Sequence, residues 1–272
     1  MHVYLFTCVL QLMNETSLKK ALTKLNIGGL KYFDSIGSTN DEALAWAASG
    51  ANDFSIVIAD EQTRGRGRLH RTWHTPKGSA LAVSLILRPD KSTIPHLSRT
   101  VGLAALAISD SLLRMGLAPK IKWPNDVLIN NKKVAGILVE SVWSGSEVDS
   151  LVIGMGINVY KDSVPPSDSL QLPATSIEDE LGKEPPAREE IVENILFNLI
   201  SWREKLASDE ILKTWEERLA FRHQKVNILS GGETNETGVL DGLEFDGSLR
   251  LRDSNNKAVI IHFGDVSLRP AT

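Results

Sequence analysis

The chain has 272 residues, and its 30 Lys and Arg against 34 Asp and Glu give a formal net charge of −4. Apolar residues make up 42% and charged residues 24%, which is typical of a globular protein and excludes a disordered or collagen-like chain. An acidic chain is a poor general nucleic-acid binder, and a single cysteine, Cys8, excludes an internal disulfide.

The first 13 residues are apolar and could be mistaken for a signal peptide. They have no Lys or Arg before the apolar run, no small-residue cleavage pattern after it, and too few residues to span a bilayer. We interpret them as an extension before a start at Met13, with an ordinary edge strand as the alternative. We expect a cytoplasmic protein that does not bind membranes.

Two helices are predicted early in the chain. Residues 17–26 have the pattern of a short amphipathic helix that ends at Gly28-Gly29. Thr39 at the N-cap and Glu42 three residues later predict a capping box at the start of the next helix. The stretch before that helix is too short for a helix-turn-helix domain, so we expect no DNA partner.

The middle of the chain alternates between strand and helix patterns. The apolar run at 79–87 predicts a strand that is buried on both faces, and Asn130-Asn131 is a favourable turn pair for a hairpin. Further strands are predicted at 56–58, 120–129, 132–142 and 151–159, helices at 97–115, 187–206 and 209–221, and a loop at 161–174.

After residue 222, short strands alternate with turn pairs such as Gly231-Gly232 and Asp246-Gly247. This pattern predicts a small all-β module with a barrel core, which we expect to pack on the larger part because so small a module is weakly stable alone. We therefore divide the chain into an extension with a short helix (1–30), a main domain (31–221) and the β-module (222–272).

The charge is distributed unevenly, because residues 64–71 contain four arginines and no acid. In an extended chain, period-two alternation places Arg64, Arg66 and Arg68 on one side, and the intervening glycines let the backbone approach a ligand. Arginine forks bind phosphate bidentately, so this segment predicts a loop that wraps a triphosphate. A solvated basic loop and an Arg-Gly segment that binds RNA are the alternatives.

Other common site patterns are missing from the sequence. No Walker A motif and no G-x-S-x-G elbow occurs, and Gly154-Met155-Gly156 is only a fragment of the dinucleotide fingerprint. His70 and His74 are four residues apart, but no nearby Cys or acid completes a zinc site. We therefore assign no metal ligands.

A second dense segment begins at Lys122-Trp123-Pro124-Asn125-Asp126. Pro124 interrupts strand pairing there, and the two residues after it offer side-chain acceptors. Lys133 begins the next strand, and Gly136 follows it where a ligand could lie against the backbone. From spacing alone, the favoured interpretation of Lys133 is a lysine that faces water at a hairpin end.

Together, these segments resemble the biotin protein ligases. The motifs that carry the resemblance are Ser38-Thr39-Asn40, Gln62, Gly65-Arg66-Gly67-Arg68 with Arg71 and Trp73, Lys122-Trp123-Pro124-Asn125-Asp126, Lys133 with Ala135-Gly136-Ile137, and Gly154-x-Gly156-Ile157-Asn158. The resemblance implies an α+β fold in which a mixed central β-sheet is flanked by helices, forming a biotin/lipoate ligase-like catalytic domain. It also implies that the tail is the family's small SH3-like β-barrel.

The implied activity has two steps. The carboxylate of biotin attacks the α-phosphate of ATP to form biotinyl-5′-AMP, and a lysine of a biotin carboxyl carrier protein then attacks the mixed anhydride. ATP, biotin and Mg²⁺ are expected, the cation sharing the charge of the triphosphate. The alternatives are a lipoate-protein ligase or octanoyltransferase of the same fold, and a biotin-sensing binding protein.

The resemblance also implies residue roles. The residues expected to bind biotin are Ser38, Thr39, Asn40, Gln62, Arg66, Lys133 and Gly136. Those expected to contact ATP or the adenylate are Arg68, Arg71, Trp73, Asn158 and Arg188. Lys133, Arg68 and Arg66 are the expected catalytic residues, and Asn125 and Asp126 are expected to be structural or to lie near the metal.

Two features depart from the family pattern. His70 stands where the family usually has glycine, which could change how the arginine-rich segment 64–71, called the arginine loop below, closes. The DNA-binding domain of the bifunctional repressors is not evident, so we expect a ligase-only member that modifies a carrier protein. A homodimer is compatible with the family, but no residue of the sequence decides it.

Overall fold

The computed structural model describes residues 13–69, 71–166, 172–230, 233–264 and 266–271. Its helices are α1 (Glu15–Ala21), α2 (Thr39–Ala48), α3 (Thr100–Arg114), α4 (Ile177–Leu181), α5 (Arg188–Arg203) and α6 (Asp209–Glu217). Its strands are β1 (Gly29–Phe33), β2 (Ser55–Ala59), β3 (Ala80–Leu87), β4 (Pro119–Lys122), β5 (Asp126–Ile129), β6 (Lys132–Ser144), β7 (Glu147–Asn158), β8 (Lys225–Ser230), β9 (Glu233–Leu243), β10 (Leu249–Arg252), β11 (Ala258–Ile261) and β12 (Val266–Pro270).

A seven-stranded sheet forms the centre of the molecule, in the order β1-β2-β3-β7-β6-β5-β4. β1 and β2 are parallel and the other neighbours are antiparallel. α2 packs on one face through Ala43 and Ala47, while α3 covers the other face and is itself covered by α5 and α6. Both the predicted mixed sheet between helices and the fully buried strand at 79–87 are confirmed.

The face under α2 changes character along the sheet. Near the middle of α2 it carries large apolar side chains, among them Ile86 and Val152. Further along the same strands it carries Ser84, which is paired with Gly154, and then Gly156, which is paired with Gly136. Because alternate residues of a strand share a face, this row of small residues leaves space beyond the N-terminus of α2.

The structure corrects the predicted start of α2. The N-cap residue is Ser38 instead of Thr39, and its side chain makes no capping hydrogen bond. The backbone N–H and the hydroxyl of Thr39 both donate to Gln62 Oε1, at 2.9 and 3.1 Å, and Glu42 pairs with Lys31 at 2.7 Å. The predicted capping box therefore does not form, because tertiary partners take both of its side chains.

The hairpin after Pro124 forms as predicted. Asn130 and Asn131 have positive φ angles of 50° and 61°, which a tight two-residue hairpin turn requires. The single strand expected at 120–129 is instead two strands, β4 and β5, with the cis peptide Trp123–Pro124 between them. Since proline has no N–H for a ladder, the pairing stops there.

The C-terminal module is a five-stranded antiparallel sheet in the order β11-β10-β9-β8-β12, as the strand pattern predicted. It packs on the main part through Phe263, whose ring centroid lies 5.3 Å from that of Trp123. The Trp123 indole N–H also donates to the carbonyl of Gly247 at 3.1 Å, and Arg99 donates to the carbonyl of Phe245 at 2.8 Å.

The structure describes only part of the N-terminal extension and of the predicted loops. Residues 1–12 and His70 lie outside the described residues, whereas Met13 is buried and its carbonyl accepts a hydrogen bond from the Tyr32 hydroxyl. The described parts of the 161–174 loop include a short 3₁₀ turn at Lys161–Ser163. No helix of the described residues is long and apolar enough to cross a membrane.

Candidate ligand-binding site

The row of small residues on the α2 face forms the floor of a cavity of about 570 Å³. The sheet, the arginine loop, the 161–174 segment and the C-terminal module all contribute to its walls. The sequence-predicted residues that line it are Ser38, Thr39, Asn40, Gln62, Arg66, Arg68, Arg71, Trp73, Asn125, Asp126, Lys133, Gly136 and Asn158. Residues far apart in the sequence are therefore gathered at one place.

Arg188, which we expected near the nucleotide, does not line this cavity. Its side chain is 5% exposed, and its Nη1 atom lies 2.6 Å from Asp60 Oδ1 and donates to the Ala80 carbonyl at 3.1 Å. The buried carboxylate compensates the charge of the guanidinium. The structure therefore places Arg188 in a buried ion pair outside the cavity lining, and we do not include it among the nucleotide contacts proposed below.

A small polar pocket lies at the N-terminus of α2. Ser84 Oγ is 2.8 Å from Thr39 Oγ1 and 2.6 Å from Asn40 Oδ1, and Gln62 Nε2 donates to Thr75 Oγ1 at 3.1 Å. These mutual bonds fix the donors and acceptors before a ligand enters. Sequence reasoning missed Ser84, although a lone hydroxyl within the buried apolar strand β3 was a usable signal.

The glycines of the floor are required by close packing. A Cβ atom at Gly154 would overlap the amide of Asn40, and one at Gly156 would overlap the indole of Trp73. The indole lies over this floor, with Lys133 Nζ 5.2 Å from its ring centroid. Its Nε1 atom is buried and has no hydrogen-bond partner among the described residues, so a donor is available where a ligand would sit.

Lys122, Asp126 and Lys133 form a charged cluster on one wall. Asp126 Oδ1 lies 2.5 Å from Lys133 Nζ, and Asp126 Oδ2 accepts from Lys122 Nζ at 3.1 Å. Burial alone would raise the pKa of Asp126, but the two ammonium groups outweigh it and hold that pKa well below its usual range. Burial lowers the pKa of Lys122 from its ordinary value.

The arginine loop is a tight hairpin, and this differs from the extended segment that we predicted. Residues 66 and 72 form a β-bridge, and the N–H of Gly67 donates to the Arg71 carbonyl at 2.7 Å. The arginines therefore diverge instead of sharing one side. Arg68 reaches Asn125 Oδ1 at 3.1 Å and the Gly264 carbonyl of the C-terminal module, whereas Arg64 lies outside the cavity lining.

Arg269 is a lining residue that sequence reasoning missed. It lies on β12 of the C-terminal module, and burial together with the nearby Arg71 lowers the pKa of its guanidinium. No local signal marked it, because its position beside Arg71 depends on how the module packs. The module therefore contributes a positive charge to the site besides covering the main part.

Comparison with known proteins agrees with this geometry. Residues 32–158 match the Biotin/lipoate A/B protein ligase family. A biotin--[acetyl-CoA-carboxylase] ligase from Paracoccus denitrificans is 34% identical over 82% of this chain and 94% of its own length. This chain belongs to the biotin protein ligases.

Other members of the family extend the comparison. The bifunctional ligase/repressor BirA of Bacillus spizizenii is 41% identical over 62% of this chain, and the match spans about half, 51%, of that relative. A solved structure, the biotin protein ligase from Aquifex aeolicus in complex with biotin and ATP, superposes with a TM-score of 0.76. It shares 28% identity and covers 89% of this chain and 99% of its own. The expected biotin ligase fold is thereby confirmed.

Proposed function

We propose that this chain is an ATP-dependent biotin protein ligase, which forms biotinyl-5′-AMP and transfers the biotinyl group to a lysine of a biotin carboxyl carrier protein. One observation carries this proposal. A single cavity contains both the neutral polar pocket at α2 and a wall of lysines and arginines. The names of the relatives and the ligands of the Aquifex structure support the same reaction.

The neutral pocket suits the head group of biotin. A ureido ring has two N–H donors and a carbonyl acceptor, and the pocket offers hydroxyl and amide groups from Ser38, Thr39 and Gln62. Gly136 and Gly156 let the indole of Trp73 lie close to the sheet, where its ring would contact the body of the ligand. In this proposal the biotin carboxylate points toward Lys133.

The charged wall suits the first step, in which two anions must meet. The biotin carboxylate attacks the α-phosphorus, a new O–P bond forms, and the bond to pyrophosphate breaks. Lys133, Arg68, Arg71 and Arg269 line the cavity and would reduce the repulsion as negative charge develops. Asn158, whose amide N–H donates to the Thr175 carbonyl at 3.0 Å, is the proposed contact at the nucleotide end.

The described lining residues offer few ligands to a magnesium ion that arrives with ATP. Asp126 is the carboxylate among the described lining residues, and the described part of the chain holds no cluster of three or more candidate ligands. Mg²⁺ is commonly bound by one or two carboxylates together with substrate phosphates and water. Because Lys133 and Lys122 engage both oxygens of Asp126, phosphates and water would hold the ion, which would supply charge neutralisation on the triphosphate.

The second step needs the adenylate to persist until the carrier arrives. The amine of the carrier lysine attacks the acyl carbon, AMP leaves with the bonding electron pair, and an amide forms. The arginine loop would cover the adenylate and keep water away, because Arg68 connects it to Asn125 and to the C-terminal module. Action without a DNA partner and formation of a homodimer stay predictions.

The first half-reaction distinguishes this proposal from the lipoate alternative. The protein is mixed with ATP, Mg²⁺ and either biotin or lipoate, and pyrophosphate release and acyl-AMP are measured. We expect biotin-dependent release and a biotinyl-AMP product, with no product when ATP is left out. An adenylate formed from lipoate and none from biotin would overturn the assignment.

A further inference from the structure

Glu140 on β6 binds two parts of the site at once. Its carboxylate accepts two hydrogen bonds from Arg66, at 3.0 and 2.7 Å, and one from Asn40 Nδ2 at 2.8 Å. It does not line the cavity itself. It therefore connects the arginine loop with the N-terminus of α2 from behind the surface that a ligand would touch.

The register of the sheet explains how Glu140 reaches both partners. It pairs with Val152 of β7, two residues before Gly154, so its side chain lies on the α2 face together with the glycine floor. Asn40 sits directly on Gly154, where a side chain would overlap it. The carboxylate is thus placed beside Asn40, at the edge of the sheet face where the arginine loop crosses.

The bonds of Arg66 show that its guanidinium acts as a tether. Glu140 holds the fork with two hydrogen bonds, and Asp41 on α2 lies 2.8 Å from Nη2. The hydrogen bond to Glu140 raises the pKa of Arg66 above its ordinary value. Because two carboxylates surround one guanidinium, Arg66 adds little net positive charge for a phosphate.

The bonds of Asn40 show how the same carboxylate reaches the polar pocket. Asn40 Nδ2 donates to Glu140, which leaves Oδ1 to accept from Ser84 Oγ at 2.6 Å. Ser84 is in turn within hydrogen-bond distance of Thr39, which donates to Gln62. A change at Glu140 would therefore alter the orientation of the amide that starts this chain of hydrogen bonds.

We propose that Glu140 is a positioning residue that sets biotin affinity, because it fixes Asn40 in the polar pocket and the base of the arginine loop in one arrangement. This inference rests on the proposed function for the identity of the ligand. It assigns Arg66 to the support of the loop and leaves phosphate binding to the other arginines.

The test compares Glu140→Gln with Asp41→Asn, since both replace a carboxylate that touches Arg66. Glu140→Gln should raise the Kd for biotin by about tenfold or more, because charged hydrogen bonds are lost from a partly buried site. Asp41→Asn removes a half-exposed ion pair and should change the Kd by less than about twofold. The KM for ATP should rise much less than the KM for biotin in Glu140→Gln.

Hydrogen exchange without any ligand gives a second readout. The backbone amides of 64–69 and 71–73 should exchange faster in Glu140→Gln than in the wild type and in Asp41→Asn. Arg66→Lys breaks the same pair from the loop side, and the double variant should be no worse than the poorer single variant. This comparison still decides the case if Glu140→Gln loses stability.

The outcomes separate this inference from the proposed function. Equal biotin affinity and equal loop exchange in Glu140→Gln and the wild type would overturn the role of Glu140 while leaving the ligase assignment intact. Fully additive losses in the double variant would also overturn it. A wild-type protein that does not bind biotin would contradict the proposed function, and the exchange data would then test the tether alone.

Discussion

Lys133 carries the largest share of the proposed chemistry among single residues. Its ammonium lies 2.5 Å from Asp126 and 5.2 Å from the Trp73 ring centroid, so both contacts hold it at the centre of the cavity. Spacing alone favoured a lysine that faces water at a hairpin end. The bridge between Lys133 and Ala174 explains the outcome, because it brings residues 173–175 against the start of β6.

Lys133→Ala should lower the rate of adenylate formation by about a hundredfold or more, because a positive charge aimed at the reacting phosphate is lost. The fold should survive, since Asp126 keeps its bond to Lys122. Pyrophosphate release measures the rate and thermal melting measures the stability. Lys132→Ala, at the exposed neighbouring position, is the control and should keep normal activity; near-normal activity in Lys133→Ala would reject the role.

Gly154→Ala tests the packing of the floor. The added methyl group would overlap the Asn40 amide and disturb the polar pocket, so we expect weaker biotin binding and a loss of about 1–3 kcal/mol in stability. Biotin titration and denaturant unfolding measure the two effects. Ile153→Leu changes the opposite face of the same strand at similar volume, outside the cavity lining, and should leave biotin binding unchanged; unchanged binding in Gly154→Ala would argue against the pocket.

At the scale of elements, the arginine loop shows what sequence patterns can and cannot predict. The cluster of arginines is a local property of the sequence, and the structure places Arg66, Arg68 and Arg71 in the lining of the cavity. Their roles toward a ligand stay predictions. The prediction of one extended run was wrong, because the chain turns at residues 63–64 and bends at 68, and residue 66 then pairs with residue 72. The direction of each arginine then depends on partners that are distant in the sequence.

Arg68→Ala should weaken ATP binding and loosen the loop. The variant loses the hydrogen bonds to Asn125 and to the carbonyl of Gly264, so the loop is no longer joined to the C-terminal module. We expect the KM for ATP to rise by about tenfold, as for other lost charged hydrogen bonds. Arg64→Ala, in the same loop but outside the cavity lining, should change it little; equal effects would contradict loop closure.

At the scale of the whole molecule, the sequence predicted the fold better than the complete site. Local sequence patterns predict three features of the fold, and the structure confirms them: the buried strand β3, the Asn130-Asn131 turn and the strand-rich tail. Glu140 and Arg269 could not be predicted, because each matters only through neighbours that folding brings close. Arg188 is the opposite case: it was expected at the nucleotide, but it forms a buried ion pair with Asp60 outside the cavity lining.

Arg269→Ala tests whether the C-terminal module takes part in the site. Removal of this charge should raise the KM for ATP several-fold, because one charged contact with the nucleotide is lost. The affinity for biotin should stay near normal. Arg252→Ala, on the same module, loses its ion pair with Asp241 and should leave both values unchanged. A normal KM for ATP in Arg269→Ala would restrict the module to a supporting role.

The central claim is that this cavity joins biotin to a lysine of a carrier protein. Intact-mass and peptide mass spectrometry of a biotin carboxyl carrier domain, incubated with the protein, ATP, Mg²⁺ and biotin, tests it most directly. We predict one added biotinyl group on a single lysine, and none with Lys133→Ala or without ATP. A carrier domain that stays unmodified, or one that gains a lipoyl group from lipoate and nothing from biotin, would contradict the account.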